Sequence, residues 1–371
     1  MTAGFTSQKR IEELPDQRWD VAIAGAGPAG GSLAASLAAK GHRVLLIDRE
    51  AFPRDKICGD LIATYIYCRL RELGVYESVC REGHELRRSV IYEKSYDLAS
   101  PDFFQPVLKR SDEIPDSLTG SIILKRSVLD GILAEKAVEN GSTFVKGNVT
   151  RIASMNGMAC LSLEGSDKTI QCRIAVVATG ADVRLLKSLG MAEDTKASAV
   201  AIRCYVQSDC GLEDAIFYRD SCQNPAGYSW IFPMGNGLFN TGCMTALGGR
   251  GRKTNLRKIL PDFFSSFPPA RELLENGKII SGISGGKSRW GLTKMNGSGP
   301  ENVMATGESI GSTSTGVGEG IAKAILSSQI ASDVIDEALK TGDFSLLREY
   351  PSLLRTKLRT SREADSEPSF L

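Results

Sequence analysis

The segment that most constrains this chain is Asp20-Val-Ala-Ile-Ala-Gly25-Ala-Gly27-Pro28-Ala29-Gly30, closed by Val44-Leu-Leu-Ile-Asp48. A short apolar run, three glycines at G-x-G-x-x-G spacing, a helix of small residues and a second apolar run ending in a carboxylate make one βαβ unit. Gly25 permits a tight turn off the first strand, Gly27 lets backbone approach a pyrophosphate, and Gly30 lets helix and strand pack closely. The helix, expected from Ser32 to Lys40 with Gly41 as its stop, turns its N-terminus toward the phosphates. Asp48 lies 18 residues beyond Gly30, where a carboxylate accepts hydrogen bonds from an adenosine ribose. The unit predicts dinucleotide binding.

A chain of 371 residues has room for two compact units, and 42% hydrophobic with 24% charged residues is ordinary for a globular protein. Lys and Arg number 45 against 44 acids, so charge gives no case for a nucleic-acid partner. Residues 1–18 lack an apolar signal region, and no run approaches the roughly 18 apolar residues of a spanning helix. A cytoplasmic location is expected. Nine cysteines without a C-x-x-C spacing suggest neither a disulfide framework nor a zinc site. His42 and His84 are the only histidines, so histidine-based catalysis is not expected. His42 reads as a solvated turn residue, and the group around His84, Glu85, Arg87 and Arg88 as solvated surface.

After Asp48 comes the charged loop Phe52-Pro-Arg54-Asp-Lys56-Ile-Cys58-Gly59-Asp60, longer than a simple connector. A helix follows at Thr64–Leu73, then irregular strands over residues 85–118. Ile122–Arg126 reads as a strand feeding a helix from Asp130 to Glu139. Ser142–Val145, Val149–Ile152, Ala159–Leu163 and Thr169–Cys172 read as a small antiparallel meander. Arg173 to Ala178 returns to the parallel sheet and ends in Thr179-Gly180, a turn close to the same ligand. Residues 199–285 are strand-rich, interrupted by a helix at Asn255–Phe267 with a break at Pro261. A last strand, the Gly- and Ser-rich stretch Gly307-Glu308 to Gly318-Glu319-Gly320-Ile321, and a helix to about Lys340 complete the first unit. The expected fold is α/β. It combines a discontinuous Rossmann-like unit (16–80, 119–190 and 295–340), a second, mainly antiparallel sheet for substrate (81–118 and 191–294) and a C-terminal helix and tail (341–371).

Three separated segments, around Gly25, Arg54 to Asp60 and Gly307 to Ile321, resemble FAD-dependent enzymes of the p-hydroxybenzoate-hydroxylase-like fold, and among them the geranylgeranyl-reductase-like branch. Phe52-Pro-Arg-Asp-Lys-Ile-Cys-Gly is similar to that branch's F-P-R-x-K-x-C-G, and Arg126 with Asp130 to its R-x-x-x-D. Pro225-x-x-Tyr228-x-Trp230-x-Phe232-Pro233 and Gly318-Glu-Gly-Ile complete the likeness. The resemblance implies FAD, with NAD(P)H or another reductant as electron donor. It places the cofactor against Gly25, Gly27, Pro28, Ala29, Gly30, Asp48 and Arg49, against Arg54, Lys56, Cys58 and Gly59, and against Arg126, Thr179 and Gly180. At the far end it implies Gly307, Glu308, Gly318, Glu319, Gly320 and Ile321, with the helix N-terminus near Gly318 facing the charge of the reduced ring. No metal is implied. The chain differs from the family pattern at Thr179, Met234 and Thr315 and has a short C-terminal region. The Gly-Glu-Ser-Ile-Gly and Gly-Glu-Gly-Ile wording is also similar to LodB/GoxB-type flavoproteins, which mature the tryptophylquinone of partner oxidases.

Cys58, near the cations Arg54 and Lys56, is a candidate catalytic thiolate. Tyr228, Trp230 and Phe232 alternate on a strand and share one face, where they line a substrate cavity or form core. The remaining cysteines read as core. The reaction expected first is oxygen-dependent hydroxylation of a bulky apolar or aromatic substrate, including a residue on a partner protein. The alternatives are reduction of a prenyl double bond and a flavin-binding assembly factor without turnover. Halogenation is disfavoured because Tyr228 replaces the first Trp of the halogenase Trp-x-Trp-x-x-Pro signature.

Overall fold

The computed structural model describes residues 8–15, 17–96, 106–111, 119–192, 196–247, 254–292, 300–314 and 318–363. Its first sheet has the strand order Gln8–Arg10, Thr143–Lys146, Val44–Asp48, Trp19–Ala24, Thr169–Val177, Met158–Leu163, Val149–Met155. The central strands are buried on both faces, as apolar runs such as Val21-Ala-Ile and Val44-Leu-Leu-Ile require. Thr169–Val177 serves two purposes along one edge. Its first half pairs antiparallel with Met158–Leu163, and its second half pairs parallel with Val303–Ala305. Strands from both ends of the chain therefore meet in one sheet, the discontinuous α/β architecture that the motif order predicts.

The helix after the glycine turn begins at Pro28, four residues before the expected Ser32. Proline is well placed at the first helical position, because its φ is preset and its missing N–H has no intrahelical acceptor there. Small residues bring this helix close to its neighbours, and Ser32 Oγ lies 2.6 Å from Ser328 Oγ of helix Ile321–Thr341. Thr143–Lys146 is not part of the meander. It pairs parallel with Val44–Asp48 and with Gln8–Arg10, because its Phe144 and Val145 are both buried in the core of that sheet. Helix Arg126–Glu139 likewise starts earlier than expected.

The second sheet runs Gly277–Ile279, Ala199–Ser208, Leu238–Ala246, Gly227–Pro233, Ala215–Asp220, Ser89–Tyr96, Pro106–Ser111, with Ser284–Ser288 also on the edge of Ala199–Ser208. It is antiparallel except between Ala215–Asp220 and Ser89–Tyr96. The stretch read as irregular thus contains a regular eight-residue strand; its neighbours 97–105 and 112–118 lie outside the described residues. One face packs Val206, Ile231 and Cys243 against Leu260, Phe263 and Phe267. The helix carrying Leu260 and Phe263 runs unbroken from Leu256 to Ser266, with Pro261 on its exposed side. The break falls at Phe267, where a second helix starts at Pro268. The opposite face gathers Phe217, Trp230 and Phe232 and looks toward the first sheet. Among the described residues no helix is long and apolar enough to cross a membrane.

Some side chains differ from expectation. His42 is held by Asp336, with Nε2 2.8 Å from Oδ1, so it fastens its turn to the long helix. Cys68, Cys80 and Cys222 are exposed, whereas Cys160, Cys172, Cys204 and Cys243 are buried.

Candidate active site

A cavity of about 750 Å³ runs between the C-terminal ends of the first sheet and the inner face of the second, where ligands enter open α/β sheets. At one end are Gly25, Gly27, Pro28, Ala29, Asp48 and Arg49; at the middle Arg54, Lys56, Arg126, Thr179, Gly180 and Glu308. At the other end are Cys58, Gly59, Tyr228, Trp230, Phe232, Gly318, Gly320 and Ile321. Gly30, Gly307 and Glu319 stand outside the lining. A Cβ on Gly30 would lie 1.7 Å from the Gly25 carbonyl oxygen, and one on Gly307 2.6 Å from Ala29 Cβ, so these two glycines serve packing. Thr315 lies outside the described residues.

The glycine turn is fastened to Asp48, whose Oδ2 accepts from the Ala26 N–H at 2.8 Å and whose Oδ1 accepts from the Glu50 N–H at 3.0 Å. Arg54 links this end to the middle: Nη2 lies 3.3 Å from Asp48 Oδ2, and Nη1 2.8 Å from Asp130 Oδ2. Asp130, fully buried, also takes both Nε and Nη2 of Arg126 at 2.8 Å. Burial alone would lower the pKa of Arg126; its pairing with Asp130 more than offsets this and raises it. Farther along, Lys56 Nζ meets Glu308 Oε2 at 2.7 Å. Burial pushes the Glu308 carboxyl up, but Lys56, with Ser288 and the Arg289 N–H, together outweigh burial and hold it below the ordinary range. Both cations near Cys58 in sequence are therefore committed elsewhere.

The sulfur of Cys58 meets different partners from those the sequence suggests. Burial pushes its pKa up, opposed chiefly by Arg126. That direction runs against the thiolate character suggested by the neighbouring cations; the sulfur lies beside the Arg126 guanidinium and the backbone N–H of Asp60. Tyr228, Trp230 and Phe232 do share one face, with ring centroids 6.0 and 6.1 Å apart in succession. Ile231 between them points into the opposite core. Gly59 is what lets the loop lie against this wall, since a Cβ there would be 3.2 Å from the Phe232 ring.

Several lining residues escape sequence reasoning. Gly147, Asn148 and Val149 flank the Asp48 end, brought there because the Gly147 N–H donates to the Asp48 carbonyl at 2.8 Å. Their signal was the parallel strand Thr143–Lys146 that precedes them. Lys287, Ser288 and Trp290 form the rim on the second sheet. Asp60 and Asn240 lie just behind the wall. Asn240 Nδ2 donates to the Cys58 carbonyl and to Asp60 Oδ2, each at 2.9 Å, and Asn240 Oδ1 accepts from Trp230 Nε1 at 2.9 Å.

These features suit an elongated ligand with sugar hydroxyls at one end, negative charge in the middle and a flat ring at the other. A Cβ on Gly27 would meet only Arg126 Nη2 and Arg54 Nη2 at 3.6 and 3.7 Å, so the turn presents bare backbone amides between two guanidinium groups. At the far end a Cβ on Gly318 would meet, among the described residues, only Tyr228 Oη, at 4.0 Å. The residues present fit FAD.

A family model described as FAD binding domain matches residues 18–216, more than half of the chain. Conditioned medium factor receptor 1 of Dictyostelium discoideum is 26% identical over 343 residues; the match covers 88% of this chain and 65% of that protein. Digeranylgeranylglycerophospholipid reductase of Thermoplasma acidophilum is 26% identical over 354 residues, covering 92% and 84%. A crystal structure of a geranylgeranyl bacteriochlorophyll reductase-like protein from Thermoplasma acidophilum shares the fold at TM-score 0.73 and 23% identity, over 92% of this chain and 84% of that one.

Proposed function

We propose that this chain, which belongs to the family described as FAD binding domain, reduces a carbon–carbon double bond of a bulky apolar, prenyl-type substrate. FAD is its cofactor and the chain is an FAD-dependent oxidoreductase; the substrate class and the direction of the chemistry are the proposal. The observation that carries it is the Cys58 thiol. Cys58 lines the same cavity as the aromatic wall of Tyr228, Trp230 and Phe232, and burial pushes its pKa up, opposed chiefly by Arg126.

Saturating a double bond needs a hydride at one carbon and a proton at the other. When bound and reduced, by NAD(P)H or another two-electron donor, FAD supplies the hydride. The protein does the rest. The amides of the glycine turn, Asp48 and Arg54 orient the cofactor, and the aromatic wall seats an apolar chain while excluding water. Cys58 holds the proton at Sγ. Arg126 and the Asp60 N–H are already in place to stabilise the sulfur once that proton has left. The reductase name of the Thermoplasma acidophilum relative supports this order of preference over hydroxylation.

The test is turnover of the photoreduced protein with a geranylgeranyl-bearing lipid under strict exclusion of oxygen. Saturated product is expected. Product that forms only when O₂ is supplied would replace reduction by hydroxylation, and FAD binding without turnover on any lipid would favour an assembly factor.

A further inference from the structure

Behind the aromatic wall lies a carboxylate that the site does not account for. Asp60 is fully buried, and its backbone is held in the left-handed region at φ 65°, where aspartate is tolerated better than most residues. Its Oδ2 accepts from Tyr205 Oη at 2.7 Å and from Asn240 Nδ2 at 2.9 Å. Its Oδ1 is hydrogen-bonded by none of the described residues. Two donors converge on one oxygen and none on the other, so a proton arriving at this carboxyl belongs on Oδ1. Burial pushes its pKa up to about 6, opposed by the bonds from Tyr205 and Asn240 and by the charges of Arg203 and Arg126.

The same residue sits against Cys58 in three ways. Its N–H reaches the sulfur, its charge raises the thiol pKa, and Asn240 clamps the Cys58 carbonyl and the Asp60 carboxylate with one amide nitrogen. On its other side a polar chain leads outward. The Arg203 guanidinium lies 4.1 Å from the Tyr205 ring centroid, Lys125 Nζ lies 4.9 Å from it, and Arg203 pairs with Asp55 at 2.6 Å. Asp55 is more than half exposed.

We infer that Asp60 is the residue that returns a proton to Cys58 after each turnover, the two side chains holding and exchanging one proton behind the cavity wall. The inference rests on the reading of Cys58 as proton donor. In the step that concerns substrate, the S–H bond breaks and its proton goes to the carbon beside the one that accepts the hydride, leaving sulfur negative. The proton then passes from the Asp60 carboxyl to sulfur through a bridging water, because Oδ1 has no hydrogen-bond partner among the described residues; this restores the thiol and leaves a carboxylate. A proton from solvent restores the acid. A thiolate and a carboxylate buried side by side repel each other, so the charged pair favours recapture of a proton.

The pair is tested without turnover, by iodoacetamide alkylation of Cys58 in the FAD-loaded protein, followed by peptide mass spectrometry across about pH 5 to 10. In the wild type the logarithm of the rate should rise, flatten over the range where Asp60 ionises and raises the thiol pKa, and rise again. In Asp60→Asn the flattening should vanish. Alkylation at neutral pH should then speed up by about tenfold for each unit by which the thiol pKa falls. Asparagine suits the left-handed backbone and still accepts from Tyr205. Should that variant not fold, Tyr205→Phe removes one donor from Oδ2 and should move the flattening to higher pH. Identical profiles in wild type and variant would overturn the inference while leaving reduction itself untouched. Absence of saturated product with a persistent two-step profile would instead overturn the reductase reading.

Discussion

Lys56 Nζ lies 2.7 Å from Glu308 Oε2, closing a distance of 252 positions in sequence. The pair joins the loop after strand Val44–Asp48 to the turn after the last strand of the first sheet. Because the folded-state pKa of Glu308 is depressed, its contribution is fully present above the ordinary glutamate range and is lost as pH falls through the folded value. Wild type should therefore exceed Glu308→Gln in stability by about 1.5 kcal/mol at neutral pH, measured by urea denaturation. That advantage should disappear on acidification below the glutamate range; a difference independent of pH would contradict the assigned charge.

Gly27 and Gly30 should fail in different ways. A methyl group at Gly27 meets only the tips of Arg54 and Arg126, whereas one at Gly30 is driven into the Gly25 carbonyl. Gly27→Ala or Gly27→Val should leave a folded protein that purifies without flavin, read from visible absorbance. Gly30→Ala should lower the melting temperature itself. Full FAD occupancy in Gly27→Val protein would contradict the assigned phosphate site.

Cys58→Ser keeps size and removes an acid of suitable strength. Turnover should fall by about a hundredfold or more while FAD content and substrate KM change little. Unchanged turnover would return Cys58 to a packing role.

Trp230→Phe retains the apolar wall but orphans Asn240 Oδ1, the acceptor of the indole N–H. The expected cost is about 1 to 3 kcal/mol in folding stability, with substrate KM raised by loosening of the wall. Asn240→Leu, which also releases the Cys58 carbonyl and Asp60, should be more damaging than Trp230→Phe. Equal stability of the two variants would mean that the amide acts on Trp230 alone.

What the sequence made legible was whatever it keeps close together. Gly25, Gly27 and Asp48 are local in sequence and lie together at one end of the cavity, from which the charged loop after Asp48 leads along the lining. The single face of Tyr228, Trp230 and Phe232 followed from strand alternation. Asn240 and Tyr205 were not legible as neighbours of Asp60, because 180 and 145 positions separate them and alternation does not say which strand lies opposite. Reading Phe144 and Val145 as meander rather than parallel strand hid Gly147. The surroundings of Cys58 were hidden for a related reason: proximity in sequence to Arg54 and Lys56 did not reveal that Asp130 and Glu308 engage those cations or that Arg126 lies beside the sulfur.

The pairing of Val303–Ala305 with the far half of Thr169–Val177 bears on how the protein is made. Glu308, Gly318 and Gly320 emerge from the ribosome only after more than four-fifths of the chain, and the edge they complete stays open until then. A chain halted before residue 300 would carry the glycine turn and Asp48 but lack the part of the cavity lining formed by Glu308, Gly318 and Gly320.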